Sequence, residues 1–131
     1  MRDEWKPGAY TSVSPYLVTE RAGEVISFLE ATFAATVLRR INRPDGSIMH
    51  AEVRVDDSVV MLGQAGENWP AVPSHVHVYV PEVDTVYAEA LRNGGETVQE
   101  PVQGDDPDRR GGVKDPGGNT WWISTQMDGQ V

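Results

Sequence analysis

The chain has 131 residues, a formal net charge of −9 and no cysteine. That length suits one domain with room for a core. The acidic balance argues against a nucleic-acid partner, which needs a basic face, and the missing thiols exclude disulfides and thiolate chemistry.

Residues 1–7 are charged and lack the apolar stretch of a signal peptide. They read as a short arm anchored by Trp5. A cytoplasmic protein is expected, with no membrane partner, because no internal run approaches a membrane span. Thr11–Val18 is predicted as a first strand, with Val13, Pro15 and Leu17 on one face and Ser14, Tyr16 and Val18 on the other. Proline removes a ladder donor, so this strand lies at an edge or is paired on one side. Glu20–Phe33 is predicted as a helix, since Val25, Phe28, Leu29 and Thr32 recur at helical spacing. Thr36–Ile41 is a second strand, and Pro44-Asp45-Gly46-Ser47 a turn. Ile48–Val55 is a third strand with His50, Glu52 and Arg54 on one face. Asp56-Asp57 turns the chain into a fourth, Ser58–Gly63, and residues 66–73 form a linking loop.

The stretch Ser74–Val80 alternates strictly, with His75, His77 and Tyr79 on one face and three valines on the other. Such alternation reads as a half-buried strand. Its valines call for a hydrophobic partner, and two imidazoles and a phenol on the other face suggest a pocket lining. A helix follows over Glu82–Asn93, with Val83, Val86, Tyr87, Ala90 and Leu91 as its buried stripe. Asn93-Gly94-Gly95 supplies its C-terminal cap. Strands are predicted over Glu96–Val102, Arg110–Val113 and Thr120–Thr125, with Asp115-Pro116-Gly117-Gly118-Asn119 turning into the last. The order strand, helix, three strands therefore occurs twice. The fold class is α+β: one domain over residues 1–131, with modules at about 12–64 and 74–125.

This doubled pattern, with Asp115-Pro116-Gly117-Gly118-Asn119 before the last strand, resembles the vicinal-oxygen-chelate superfamily of glyoxalases, bleomycin-resistance proteins and extradiol dioxygenases. Pro15-Tyr16-Leu17-Val18, Met49-His50-Ala51-Glu52 and Trp121-Trp122-Ile123 look closest to its subgroup named after the B component of the phosphonate gene cluster. The resemblance implies half-barrel sheets around a cavity, with helices on the outer faces. It also implies four metal-ligand positions, which by distance from the shared markers fall on Pro15, Met61, His75 and Trp122. Proline and indole offer no ligand atom, and a thioether suits hard or borderline ions poorly. No bound metal and no cofactor are therefore expected. An atypical site built from His50, His75 and His77 stays open, as does Glu52 joining His50 and His75.

The candidate ligand-binding residues are His75, His77, Tyr79, Trp122, His50, Met61 and Arg109. His50 reads equally as an ordinary hydrogen-bonded histidine, and Tyr79 as bonded within the protein. Arg109 is either an anion contact or a solvated loop charge. Trp122 is expected in the cavity with His75, on facing strands, while Trp121 and Val78 pack beneath the helices. Two functions stay open. One is a metal-free binding protein of the antibiotic-resistance type, taking a cationic or aromatic small organic ligand. The other is a glyoxalase- or dioxygenase-like enzyme with a histidine-based site, including a metal-free variant using His75 or His77 as base. A homodimer is expected, because half-barrels leave sheet edges to be covered.

Overall fold

The computed structural model describes residues 4–127. Module 1 runs β1 (Tyr16–Thr19), α1 (Ala22–Phe33), β2 (Thr36–Asn42), β3 (Ile48–Val55) and β4 (Ser58–Gln64). Module 2 runs β5 (His75–Tyr79), α2 (Val83–Arg92), β6 (Glu96–Gln103), β7 (Asp108–Lys114) and β8 (Thr120–Gln126). Each module forms its own four-stranded sheet, in the orders β1-β4-β3-β2 and β5-β8-β7-β6. The first strand of each pairs in parallel with the last, and the other pairings are antiparallel. The expected α+β fold of two β-α-β-β-β modules is what the chain adopts, although the sheets stay open.

The helices form where the apolar spacing placed them. Ala22, Val25, Ile26, Phe28, Leu29 and Thr32 are the buried stripe of α1. In α2 Val83 and Ala90 are buried, Val86 and Tyr87 are half-buried against the core, and Leu91 turns outward at 38% exposure. The helices contact each other, and each packs on its own sheet. One core therefore joins the modules, running from Leu17 and Leu62 through Phe28 to Val113, Trp121 and Ile123.

The family-like turn is a clamp within that core. The buried Asp115 accepts bonds from the Gly117 and Asn119 amides at 2.8 and 3.0 Å and from Trp121 Nε1 at 2.8 Å. Asn119 Nδ2 donates to Thr19 Oγ1 of the other module at 3.1 Å. These bonds satisfy an otherwise costly buried carboxylate and fix the orientation of Trp121.

Two boundaries differ from the sequence reading. β1 begins at Tyr16 rather than Thr11, and Val13 is 86% exposed. The Met61 amide still reaches the Pro15 carbonyl at 2.9 Å, but proline has no amide to return a ladder bond. β7 is longer than expected and starts at Asp108. Trp5 is not the anchor of the N-terminal arm, being 63% exposed. Lys6 Nζ of the arm donates to Ser12 Oγ at 2.7 Å, and the segment after the arm is held by Tyr10 Oη on Glu52 at 2.5 Å and by Arg54 Nη1 on the Ala9 carbonyl at 2.8 Å. Residues 1–3 of that expected arm lie outside the described residues.

Candidate functional site

Strand alternation gives each sheet a face turned away from the helices. On module 2 that face carries His75, His77 and Tyr79 of β5, beside Thr120, Trp122 and Ser124 of β8. Trp122 Nε1 donates to His75 Nδ1 at 3.0 Å, with the rings within 8° of parallel. Gly112 lies opposite Trp122 on β7, and a Cβ there would come within 2.7 Å of the indole. The strand pattern thus clears a bed for this ring. His75 and Trp122 share one open face, on adjacent strands rather than the facing strands of a cavity that the sequence led us to expect. Trp121 is 1% exposed in the core and packs on Phe33 at 5.4 Å. Val78 packs against the same core.

His77 and Tyr79 sit in a second network. Arg110 Nε donates to Ser124 Oγ at 2.9 Å, and His77 Nε2 lies 2.9 Å from the same oxygen. Ser124 Oγ thus joins the guanidinium to the imidazole. Burial, with the charge of Arg110, pushes the His77 imidazole below its usual range against the pull of Asp108. At His75 the partner is an indole N–H, which can only donate, so Nδ1 accepts and the ring's hydrogen sits on Nε2. Tyr79 Oη donates to the buried Asp108 at 2.7 Å, which raises the phenol's pKa, while its ring stays 61% exposed. A cleft of about 420 Å³ lies beside this network, between the β3–β4 hairpin and β5, with His77, Tyr79 and Val60 in its wall.

The other candidates lie elsewhere. Arg109 faces the helix side, where its guanidinium grips Asp84 of α2 through Nε at 3.0 Å and Nη2 at 3.0 Å. Pro15 lies just before β1 and is exposed, while Tyr16 is the β1 residue paired with Met61 on the open face. His50 and Met61 belong to the open face of module 1. There His50 Nε2 meets Glu52 Oε2 at 2.7 Å, and Tyr16 Oη meets His50 Nδ1 at 3.0 Å. Glu52 thus joins His50 but not His75. Burial raises the Glu52 pKa, but bonds from Tyr10 and His50, with the charge of Arg39, outweigh it and hold the carboxyl below its usual range. Among the described residues, no three histidine, aspartate or glutamate side chains converge enough to hold a metal. Tyr16, Tyr10 and Ser124 were not singled out from sequence. Their signal was parity alone: Tyr16 and Ser124 alternate onto the faces carrying the histidines.

A family model for the glyoxalase/bleomycin resistance protein/dioxygenase superfamily matches residues 11–123. The chain belongs to that superfamily. An uncharacterised protein of Mycobacterium bovis is 33% identical over 124 residues, covering 84% of this chain and 80% of its own length. One from Mycobacterium tuberculosis is equally identical, covering 84% and 71%. Among solved structures, TioX from Micromonospora sp. ML1 superposes with a TM-score of 0.75 at 21% identity, over 89% of this chain and 99% of TioX. A PhnB protein from Bacillus cereus gives 0.67 at 18% identity, over 88% and 99%. At those identities the likeness is one of fold. The superfamily resemblance read from the sequence therefore holds.

Proposed function

We propose that this glyoxalase-superfamily protein binds a small aromatic molecule on the open face of module 2 without the superfamily's metal. The observation that carries this reading is the bond from Trp122 Nε1 to His75 Nδ1. A metal ligand must offer a nitrogen lone pair. His75 spends its lone pair on Trp122, and its other nitrogen carries the hydrogen. The other positions implied by the family are a proline, a thioether and an indole, so the residues present do not fit a divalent ion. The same commitment speaks against His75 as a catalytic base.

What the face offers instead is the His75 Nε2–H donor beside the Trp122 ring, with the Tyr79 ring on the same face. The cationic or aromatic ligand expected from sequence narrows to a planar aromatic compound carrying a carbonyl or carboxylate acceptor. Sequestration of such a drug or metabolite, as in antibiotic resistance, is the role this suits. Binding of 2-naphthoate, followed by thermal shift, tests the reading. Stabilisation in the wild type that is lost in Trp122→Ala and weakened in His75→Ala supports it. Near-stoichiometric zinc, iron, nickel or manganese in protein purified without chelator, disappearing in His75→Ala, would overturn it.

A further inference from the structure

We propose that Tyr16, His50 and Glu52 form a proton-transfer site on the open face of module 1, with Tyr16 touching a planar carbon acid of aromatic size. This site is separate from the binding face of module 2 and does not depend on that reading.

Three bonds set the direction of the relay. Glu52 is 4% exposed and lies within reach of three donors: Tyr10 Oη at 2.5 Å, His50 Nε2 at 2.7 Å and Arg39 Nε at 3.6 Å. A carboxylate so surrounded stays ionised and can only accept. His50 Nε2 therefore carries a hydrogen, and when the ring is neutral Nδ1 offers its lone pair to the Tyr16 hydroxyl at 3.0 Å. The chain ends at a phenol that is 39% exposed. Of Tyr16, His50 and Glu52, Tyr16 is the most exposed.

The surroundings suit a flat ligand. The Tyr16 ring lies 5.6 Å from Trp69, tilted by 51°, and stacks on His50 at 5.6 Å. Trp69 comes this close because β4 carries Gly63, whose missing Cβ would stand 3.0 Å from the indole. Next to Trp69 opens a cleft of about 490 Å³ that also includes Arg43 and Gln64. The Arg43 guanidinium is fixed by the Ile48 and Gln64 carbonyls, each at 3.3 Å. Asp45 lines the same cleft, and the Arg43 charge is felt at the Tyr16 phenol, where it opposes the rise in pKa that burial causes.

In the step, the Tyr16 oxygen takes the proton from the substrate carbon while the Tyr16 proton passes to His50 Nδ1. The electron pair of the broken C–H bond stays on the substrate, as an enolate or in expelling a leaving group. The imidazolium so formed rests against the Glu52 carboxylate. Tyr16 is the catalytic residue, and His50 and Glu52 position and recharge it.

The probe is 5-nitrobenzisoxazole, a planar carbon acid. Loss of its ring proton forms the nitrile, breaks the N–O bond and releases a coloured phenolate. Wild-type protein is expected to accelerate this above matched buffer, with Tyr16→Phe and His50→Gln each at least about tenfold slower. The wild-type rate should follow one deprotonation that is missing from the His50→Gln pH profile, which a structural role alone would not produce. Tyr16→Phe changes a partly exposed position, so its melting temperature reports whether it remains folded. No acceleration by the wild type, or equal rates in wild type and a folded Tyr16→Phe, overturns the proposal.

Discussion

Trp122 Nε1 donates to His75 Nδ1 at 3.0 Å across two adjacent parallel strands. This bond decides what the imidazole can do. It fixes the Nε2–H tautomer and removes the Nδ1 lone pair from metal or proton chemistry. Long-range 1H–15N spectra at pH 7.5 should show His75 protonated on Nε2 alone. In Trp122→Phe the restriction is lifted and both tautomers should be populated. An Nδ1–H tautomer in the wild type would contradict the assignment.

Glu52 is the buried charge on which module 1's open face depends. Replacing it with glutamine keeps the shape but removes the ionised acceptor of Tyr10 and His50. Bonds to charged groups contribute about 1.5–3 kcal/mol each, so Glu52→Gln should lose about 2 kcal/mol in urea unfolding. The sign of its pH dependence follows from its lowered pKa. A depressed carboxyl stabilises the fold above its unfolded value of about 4.3, and that contribution is lost as pH falls through the folded value. Acid unfolding of Glu52→Gln should therefore be shallower than that of wild type below about pH 4.3.

His77 acts in a higher window. Burial and Arg110 depress its pKa, so the unfolded chain takes up a proton first, near pH 6.5. Stability should decline as pH drops from about 7.5 towards 5.5. His77→Gln should melt lower at the upper pH yet lose less between the two. An identical pH slope in both proteins would remove His77 as the cause.

How far the sequence speaks depends on which constraint acts. Alternation along Ser74–Val80 was enough to separate His75, His77 and Tyr79 from the valines, because one face of β5 packs on the core. Helix spacing found α1 and α2 for the same reason. Alternation failed at β1, where the pattern continued past Pro15 into a segment with no partner strand among the described residues. It also could not reveal that Arg109, one residue from Arg110, grips helix α2 while Arg110 reaches Ser124. The Tyr16–His50–Glu52–Tyr10 chain joins residues up to 42 positions apart. Only the pairing of β1, β4 and β3 places Tyr16 and Glu52 on either side of Met61.

The assembly expected from the sequence gives another test. The second sheet leaves Tyr79 at 61% and Val102 at 52% exposure, and among the described residues β5 pairs on one side only. Faces and edges of that kind favour a covering partner. A homodimer in sedimentation at tens of micromolar is the expected result, with Val102→Glu shifting it towards monomer. A wild-type protein that is monomeric at that concentration refutes this.

Two glycines should separate fold from site. A Cβ on Gly117 would meet the Glu20 carbonyl at 2.6 Å and Val25 Cγ2 at 2.8 Å, besides the Thr19 hydroxyl. All three belong to module 1, and Gly117 sits in the turn that clamps the modules together through Asn119 and Thr19. Backbone cannot swing aside as a side-chain end can, so Gly117→Ala must shift one module against the other. A loss of about 1–3 kcal/mol is expected. Gly112→Ala instead meets the Trp122 ring, at 2.7 and 2.9 Å from two of its carbons. That ring lies on the open face and can tilt outward, but only by giving up its bond to His75. Gly112→Ala should therefore unfold close to wild type in urea while losing the single His75 tautomer and the stabilisation by 2-naphthoate. If Gly112→Ala keeps both, the indole is not bedded on β7 and the binding face is wrongly placed.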